Sequence, residues 1–219
     1  MAANLRAEKS GFAKEVHQRL DAKFDQAEAA KTIRWIRALP APASVPELIR
    51  KAVEKQSSDI DSISSDDFHS YFSSGLVLGH LMACLSSEES DKLTSKTWQV
   101  SDKAIFETSR QRERIGLFLQ FAQRIGVPSA YLFQTDQLYE RTNLSQVCIC
   151  LCQLGVEMQS RNDYKGPENF WLKKQKENVR HFTEQQLKDA QNIPTMQMGY
   201  NGGASANGIS FGGRRDIIS

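Results

Sequence analysis

Apolar residues recur in helical steps along most of this chain. Phe12, Val16, Leu20 and Phe24 come every four residues, and Ala27, Ala30, Ile33, Trp35, Ile36 and Leu39 carry the pattern on. Residues three and four apart share one helical face, so the spacing predicts a long amphipathic helix from about Gly11 to Ala38. Its opposite face carries Lys14, Arg19, Lys23, Glu28 and Lys31. Pro40 and Pro42 end it, because proline removes a backbone donor and clashes with the preceding turn. Leu48, Ile49 and Val53 mark a short helix after Ser44, and the Ser- and Asp-rich residues 56–65 read as a loop.

The stretch from Asp66 to Leu85 is the one the other elements must wrap. Asp66 and Asp67 suit the positive end of a helix. Phe68, Tyr71, Phe72 and Leu76 share one face, and from Leu76 to Leu85 every residue is apolar, glycine or His80. A helix that is apolar all round is buried all round. At ten residues the run is about half of what crosses a bilayer, so it predicts a core helix. Residues 86–101 form a polar loop pinned by Leu93, Trp98 and Val100. A further helix starts near Ser101 or Asp102, with Ile105, Phe106, Ile115, Phe118, Leu119, Ala122 and Ile125 as its apolar face, and Gly126 and Pro128 stop it. Residues 131–139 read as one or two helical turns with aromatic anchors. Thr142 or Asn143 caps a last core helix, Leu144 to Leu154, closed by Gly155. No strand pattern interrupts residues 11–155. The fold class is all-α: four main helices with short connecting ones.

Beyond Gly155 the pattern breaks down. Residues 159–192 are a charged connecting segment, with Phe170, Trp171, Val179, Phe182 and Leu187 as apolar points. Lys173, Lys174, Lys176 and Arg180 set cations beside the aromatic pair, and Thr183 with Gln186 matches a capping box. From Gly199 onward six of 21 residues are glycine, a backbone costly to order, so residues 193–219 are expected to be disordered alone. Met196, Met198, Tyr200, Ile209, Phe211, Ile217 and Ile218 nevertheless space apolar anchors along it, with Arg214 and Arg215 adding charge. A flexible strip with anchors is what a peptide needs to lie down on a partner.

Composition narrows the function. With 219 residues, 40% apolar and 25% charged, the chain suits one domain with extensions or two small domains. A net charge of +2 argues against a general nucleic-acid binder. No signal peptide or stretch of transmembrane length is visible, so no membrane role is expected. Cys148 and Cys152 share a helix face and Cys150 opposes them, which prevents all three from ligating one metal. With Cys84 they read as buried free thiols, which fits a cytoplasmic protein. His80 and Cys84, four apart, are the one arrangement suggestive of a nucleophile and its base. No metal motif or phosphate loop accompanies them, and no enzyme and no cofactor is expected.

Taken together, Gly11-Phe-Ala-Lys-Glu-Val16, Trp35-Ile36, Asp67-Phe68 through Leu85, Leu132 through Tyr139 and Phe182-Thr-Glu-Gln-Gln-Leu187 resemble the transgelin branch of the calponin family. The tail from Met196 through Ser205 and from Gly212 to Ser219 resembles one copy of the calponin-like repeat. The resemblance covers nearly the whole chain. It implies a calponin-homology domain, here 11–158 after a mobile N-terminus at 1–10, and a single actin-binding repeat at 193–219. It also implies binding, bundling or stabilising of F-actin, often in muscle, and a cytoskeleton-associated location.

The implied actin-binding residues are Lys173, Lys174, Lys176, Arg180, Met198, Gly199, Asn201, Ala204, Ser205, Ile209, Arg214 and Arg215. Ser205 and Ser210 lie beside the anchors, where a phosphate would repel an acidic filament. Gly202 stands where the family repeat commonly has a basic residue, and Tyr71 where the family usually has Trp; the Tyr71 hydroxyl then needs a partner. The alternative is a helical adaptor, in which the domain binds another cytoskeletal or signalling protein and binds actin little.

Overall fold

A computed structural model describes residues 11–56, 60–174 and 182–192. The chain divides into two compact units, Met1–Lys174 and Gln175–Ser219.

The regular secondary structure of the first unit's described residues is all helical. The expected helix from Gly11 to Ala38 is two helices, α1 (Phe12–Asp21) and α2 (Gln26–Ala38). The four-residue spacing ran through the break because Phe24 still points inward, edge-on to Phe68 with ring centroids 5.2 Å apart. The break comes from Asp25, whose carboxylate accepts from the Ala27 and Glu28 amides at 2.9 and 3.0 Å and so starts a new helix. α3 (Glu47–Glu54) follows, buried through Ile49 and Val53.

The central stretch is also two helices, α4 (Ser65–Phe72) and α5 (Leu76–Leu85). Ser64 is the N-cap of α4, accepting from the Asp67 amide at 3.2 Å, and Asp66 and Asp67 fill the first turn. Gly75 divides the two helices with φ 74°, a left-handed conformation that favours glycine. As the sequence predicts, the α5 run from Leu76 to Ala83 is buried. α3, α4, α6 (Ser87–Ser90) and α7 (Ala104–Ile125) pack against it. The Tyr71 hydroxyl finds its partner in the Val53 carbonyl at 3.0 Å.

Between α6 and α7 two 3₁₀ turns, Asp91–Thr94 and Lys96–Trp98, bury Leu93 and Trp98 as expected; Val100 is 51% exposed and pins nothing. α7 ends at Gly126, which is left-handed. Its apolar stripe begins later than expected: Ile105 is 83% and Phe106 55% exposed, whereas Ile115, Phe118, Phe121 and Ala122 are buried. The first turn of α7 lies at the edge of the body, and an eight-residue polar run from Glu107 to Arg114 separates it from the core stripe. One residue of that run, Arg114, is itself fully buried. Its guanidinium donates to the carbonyls of Thr97, Ser74 and Gln99 at 2.6–2.8 Å and to Glu107 Oε1 at 2.8 Å. A buried charge survives only when paired and hydrogen-bonded, and here it ties the 74–75 and 97–99 bends to α7.

After the short α8 (Thr135–Tyr139), Asn143 caps α9 (Leu144–Gln159) by accepting from the Gln146 amide at 3.1 Å. α9 does not stop at Gly155 but runs one turn further. Gly155 serves close approach instead of termination, because Trp171 lies against it. α1, α2, α7 and α8 surround α9.

In the second unit the described element is α10 (Glu184–Asn192). The capping box is formed: the Thr183 amide donates to Gln186 Oε1 at 2.9 Å, and the Gln186 amide to Thr183 Oγ1 at 3.4 Å. Phe182 and Leu187 are exposed.

Candidate functional site

The described part of the basic segment is the strap from Ser160 to Lys174. It was expected as a connector outside a domain ending at 158, yet its aromatic residues are seated in the body. Trp171 is 5% exposed, edge-on to Trp35 with ring centroids 5.7 Å apart, and Phe170 packs against its other side at 5.3 Å. Trp35 Nε1 donates to the Tyr164 hydroxyl at 2.8 Å. The Lys31 ammonium sits 4.5 Å from the Trp171 ring centroid, a cation–π contact. The Gln159 amide, turned so that both ends are satisfied, donates to the Pro167 carbonyl and accepts from the Asn169 amide, each at 3.2 Å. The strap therefore ends the helical body as a fixed element, and the compact unit runs to Lys174.

Of the implied actin-binding residues, Lys173 and Lys174 lie in this strap. Lys173 is exposed. Lys174 is held to the body: its ammonium pairs with Glu157 at 2.7 Å and its amide donates to Ser160 Oγ at 2.7 Å. Its charge is already partly met within the chain, so of these two lysines Lys173 is the one presented outward. Lys176, Arg180, Met198, Gly199, Asn201, Ala204, Ser205, Ile209, Ser210, Arg214 and Arg215 lie outside the described residues.

The sequence pattern missed two features of the surface. One is the burial of Trp171, hidden by the charged residues that surround the short Phe170-Trp171-Leu172 run. The other is the exposed apolar trio Val100, Ile105 and Phe106, with Lys103 Nζ 5.7 Å from the Phe106 ring. Its signal was present in the long polar run after Phe106, which leaves no apolar residue to continue the stripe.

The His80–Cys84 pair is formed, with Cys84 Sγ 3.3 Å from His80 Nε2. Burial acts on both groups against catalysis. It pushes the His80 imidazole down to about 4 and the Cys84 thiol up to about 12, so both are neutral near pH 7. A nucleophilic dyad requires the thiolate, and this environment suppresses it. All four cysteines are free. Among the described residues, no group of three or more His, Cys, Asp or Glu surrounds one metal position. No helix among them is long and apolar enough to cross a membrane.

Comparison with known proteins agrees with this architecture. Residues 43–160 match the calponin homology (CH) domain family. Myophilin from Echinococcus granulosus is 31% identical over 209 residues, covering 95% of this chain and 96% of its own. The chain belongs to the calponin-homology family and is a cytoskeletal protein of the transgelin/calponin type.

Proposed function

We propose that this protein binds and bundles or stabilises actin filaments, using its C-terminal repeat and the adjacent basic segment, and that it performs no catalysis. The observation that carries the reading is the resemblance of residues 196–219 to the calponin-like repeat, on a chain whose body belongs to the calponin-homology family. Three features support it. The tail spaces apolar anchors along a glycine-rich strip. The exposed Lys173 leads into Lys176 and Arg180. The strap fixes the start of that segment through Trp171.

Tail charge is small, Arg214 and Arg215 against Asp216. Apolar and backbone contacts then carry much of the affinity, and ordering a flexible strip offsets part of it. Binding per tail is of micromolar class, about −8 kcal/mol, and the basic segment raises it by acting as a second contact on the same filament. Filament cosedimentation over a salt series tests the electrostatic part. Affinity falls as salt rises if the cations contribute, and salt-independent binding removes them from the reading. Phosphate at Ser205 or Ser210 weakens binding, and Ser205→Glu binding as tightly as the parent contradicts this.

A second reading is favoured by the exposed trio Val100, Ile105 and Phe106. Exposed apolar surface marks interaction sites where it is contiguous, and all three residues belong to the helical body. On this reading the domain is an adaptor for another cytoskeletal or signalling protein. The two readings separate in a pull-down of filaments with fragments 1–160 and 161–219: fragment 161–219 retains them on the first, and neither fragment does on the second.

A further inference from the structure

α9 carries two thiols on the face it turns toward the start of α2. Cys148 and Cys152 are one helical turn apart, and both line an open cavity of about 180 Å³ whose other walls include Lys23, Asp25, Glu28 and Ser145. Cys152 is partly exposed, so the cavity gives solvent access to sulfur. The Thr32 hydroxyl lies 3.5 Å from Cys152 Sγ and is already donated to the Glu28 carbonyl at 2.9 Å, so its lone pairs face the thiol. Ser145 Oγ, on the cavity wall, is buried without a partner. No contact described so far uses this pair.

Helix geometry decides what can join the two sulfurs. Cβ atoms four apart on a helix are about 5–6 Å apart, whereas a disulfide needs about 3.8 Å. Direct oxidation to a disulfide would therefore distort α9, which is packed by four other helices. An ion between the sulfurs adds length: two metal–sulfur bonds of about 2.3 Å span up to about 4.6 Å. With no third His, Cys, Asp or Glu completing a site among the described residues, tetrahedral zinc is poorly served. Soft thiolate pairs select soft monovalent ions, which accept two ligands.

We propose that Cys148 and Cys152 form a two-thiolate site for a soft monovalent metal ion of the Cu(I) class. Both thiols lose their protons on binding, so one ion displaces two protons and leaves a complex of net charge −1. The Lys23 ammonium on the cavity wall offsets part of that charge, against the Asp25 and Glu28 carboxylates on the same wall.

The test is anaerobic titration of the reduced full-length chain with Cu(I), supplied as its acetonitrile complex in competition with bicinchoninate. One ion per chain is taken up, and Cys148→Ser and Cys152→Ser each weaken uptake by about 100-fold, the loss of a preorganised second ligand. Cys84→Ser and Cys150→Ser leave it unchanged. Uptake that survives both serine variants, depends on only one of the two thiols, or requires Cys84 or Cys150 overturns the proposal. Circular dichroism checks that each variant is folded. Should either unfold, alkylation of the parent with and without Cu(I), mapped by mass spectrometry, decides the matter. Joint protection of Cys148 and Cys152 supports the site, and protection of one or neither refutes it.

Discussion

Trp171 lies directly over Gly155: a Cβ added to that glycine would fall 2.3 Å from Trp171 Nε1. The ring cannot back away freely, because Trp35 and Phe170 hold two of its sides. Gly155→Ala must therefore displace the strap or bend α9. Overpacking of this kind costs about 1–3 kcal/mol. Urea unfolding of residues 1–174 measures it, and tryptophan fluorescence reports whether the ring has moved toward water. A variant as stable as the parent, with unchanged fluorescence, would show that the strap is not clamped there.

Among the described residues Arg114 is the largest buried charged group, and its guanidinium serves three carbonyls and one carboxylate. Arg114→Ala leaves those acceptors without their donor and the Glu107 side chain, itself largely buried, without its cation. Loss of one partner of a buried pair costs about 3–5 kcal/mol. Arg114→Lys recovers only part of it, since an ammonium cannot reach all four acceptors in the guanidinium's geometry. Denaturant midpoints ordered parent, Lys, Ala bear this out; equal midpoints contradict it.

His80 gives the fold a pH dependence of known sign. Burial lowers its imidazole from 6.5 to about 4, so the unfolded chain takes up the proton first as pH falls. The stabilisation from keeping His80 neutral is complete above about pH 6.5 and is lost as pH falls toward 4. Its size is about 3 kcal/mol, at 1.36 kcal/mol for each unit of pKa. His80→Gln flattens unfolding free energy over that window relative to the parent. An unaltered slope would assign the acid sensitivity to other groups.

Cys84 is expected to be inert despite its histidine neighbour. A thiol pushed up to about 12 holds roughly a thousandth of the thiolate of an ordinary cysteine near neutral pH. Iodoacetamide at pH 7.5 therefore labels Cys84 far more slowly in the folded chain than in urea. Fast labelling of folded Cys84 would reopen the nucleophile.

Much of the fold was legible because burial and period coincide. The α5 run has no charged residue, so nothing else was possible for it. The helix starts at Asn143 and Thr183 carry their capping chemistry in the sequence. Illegible features were those where one residue serves two elements. Phe24 keeps the four-residue rhythm while standing in a loop. Gly155 looks like a helix stop and is a seat for a tryptophan 16 residues on. Arg114 looks solvated, since only the tertiary fold brings the Thr97, Ser74 and Gln99 carbonyls to it. The candidate site was legible by likeness alone; of its residues, Lys173 and Lys174 fall within the described structure, and the Glu157 partner of Lys174 could not have been read from spacing.

The most direct test of the proposed function is cosedimentation of the full chain and of residues 1–192 with filamentous actin under the same low-salt buffer. The account predicts saturable micromolar binding by the full chain and at least a tenfold weaker association by the truncated one, about 1.4 kcal/mol or more. Equal affinities for the two would contradict it, and would move the filament contact from the repeat to the basic segment or the helical body.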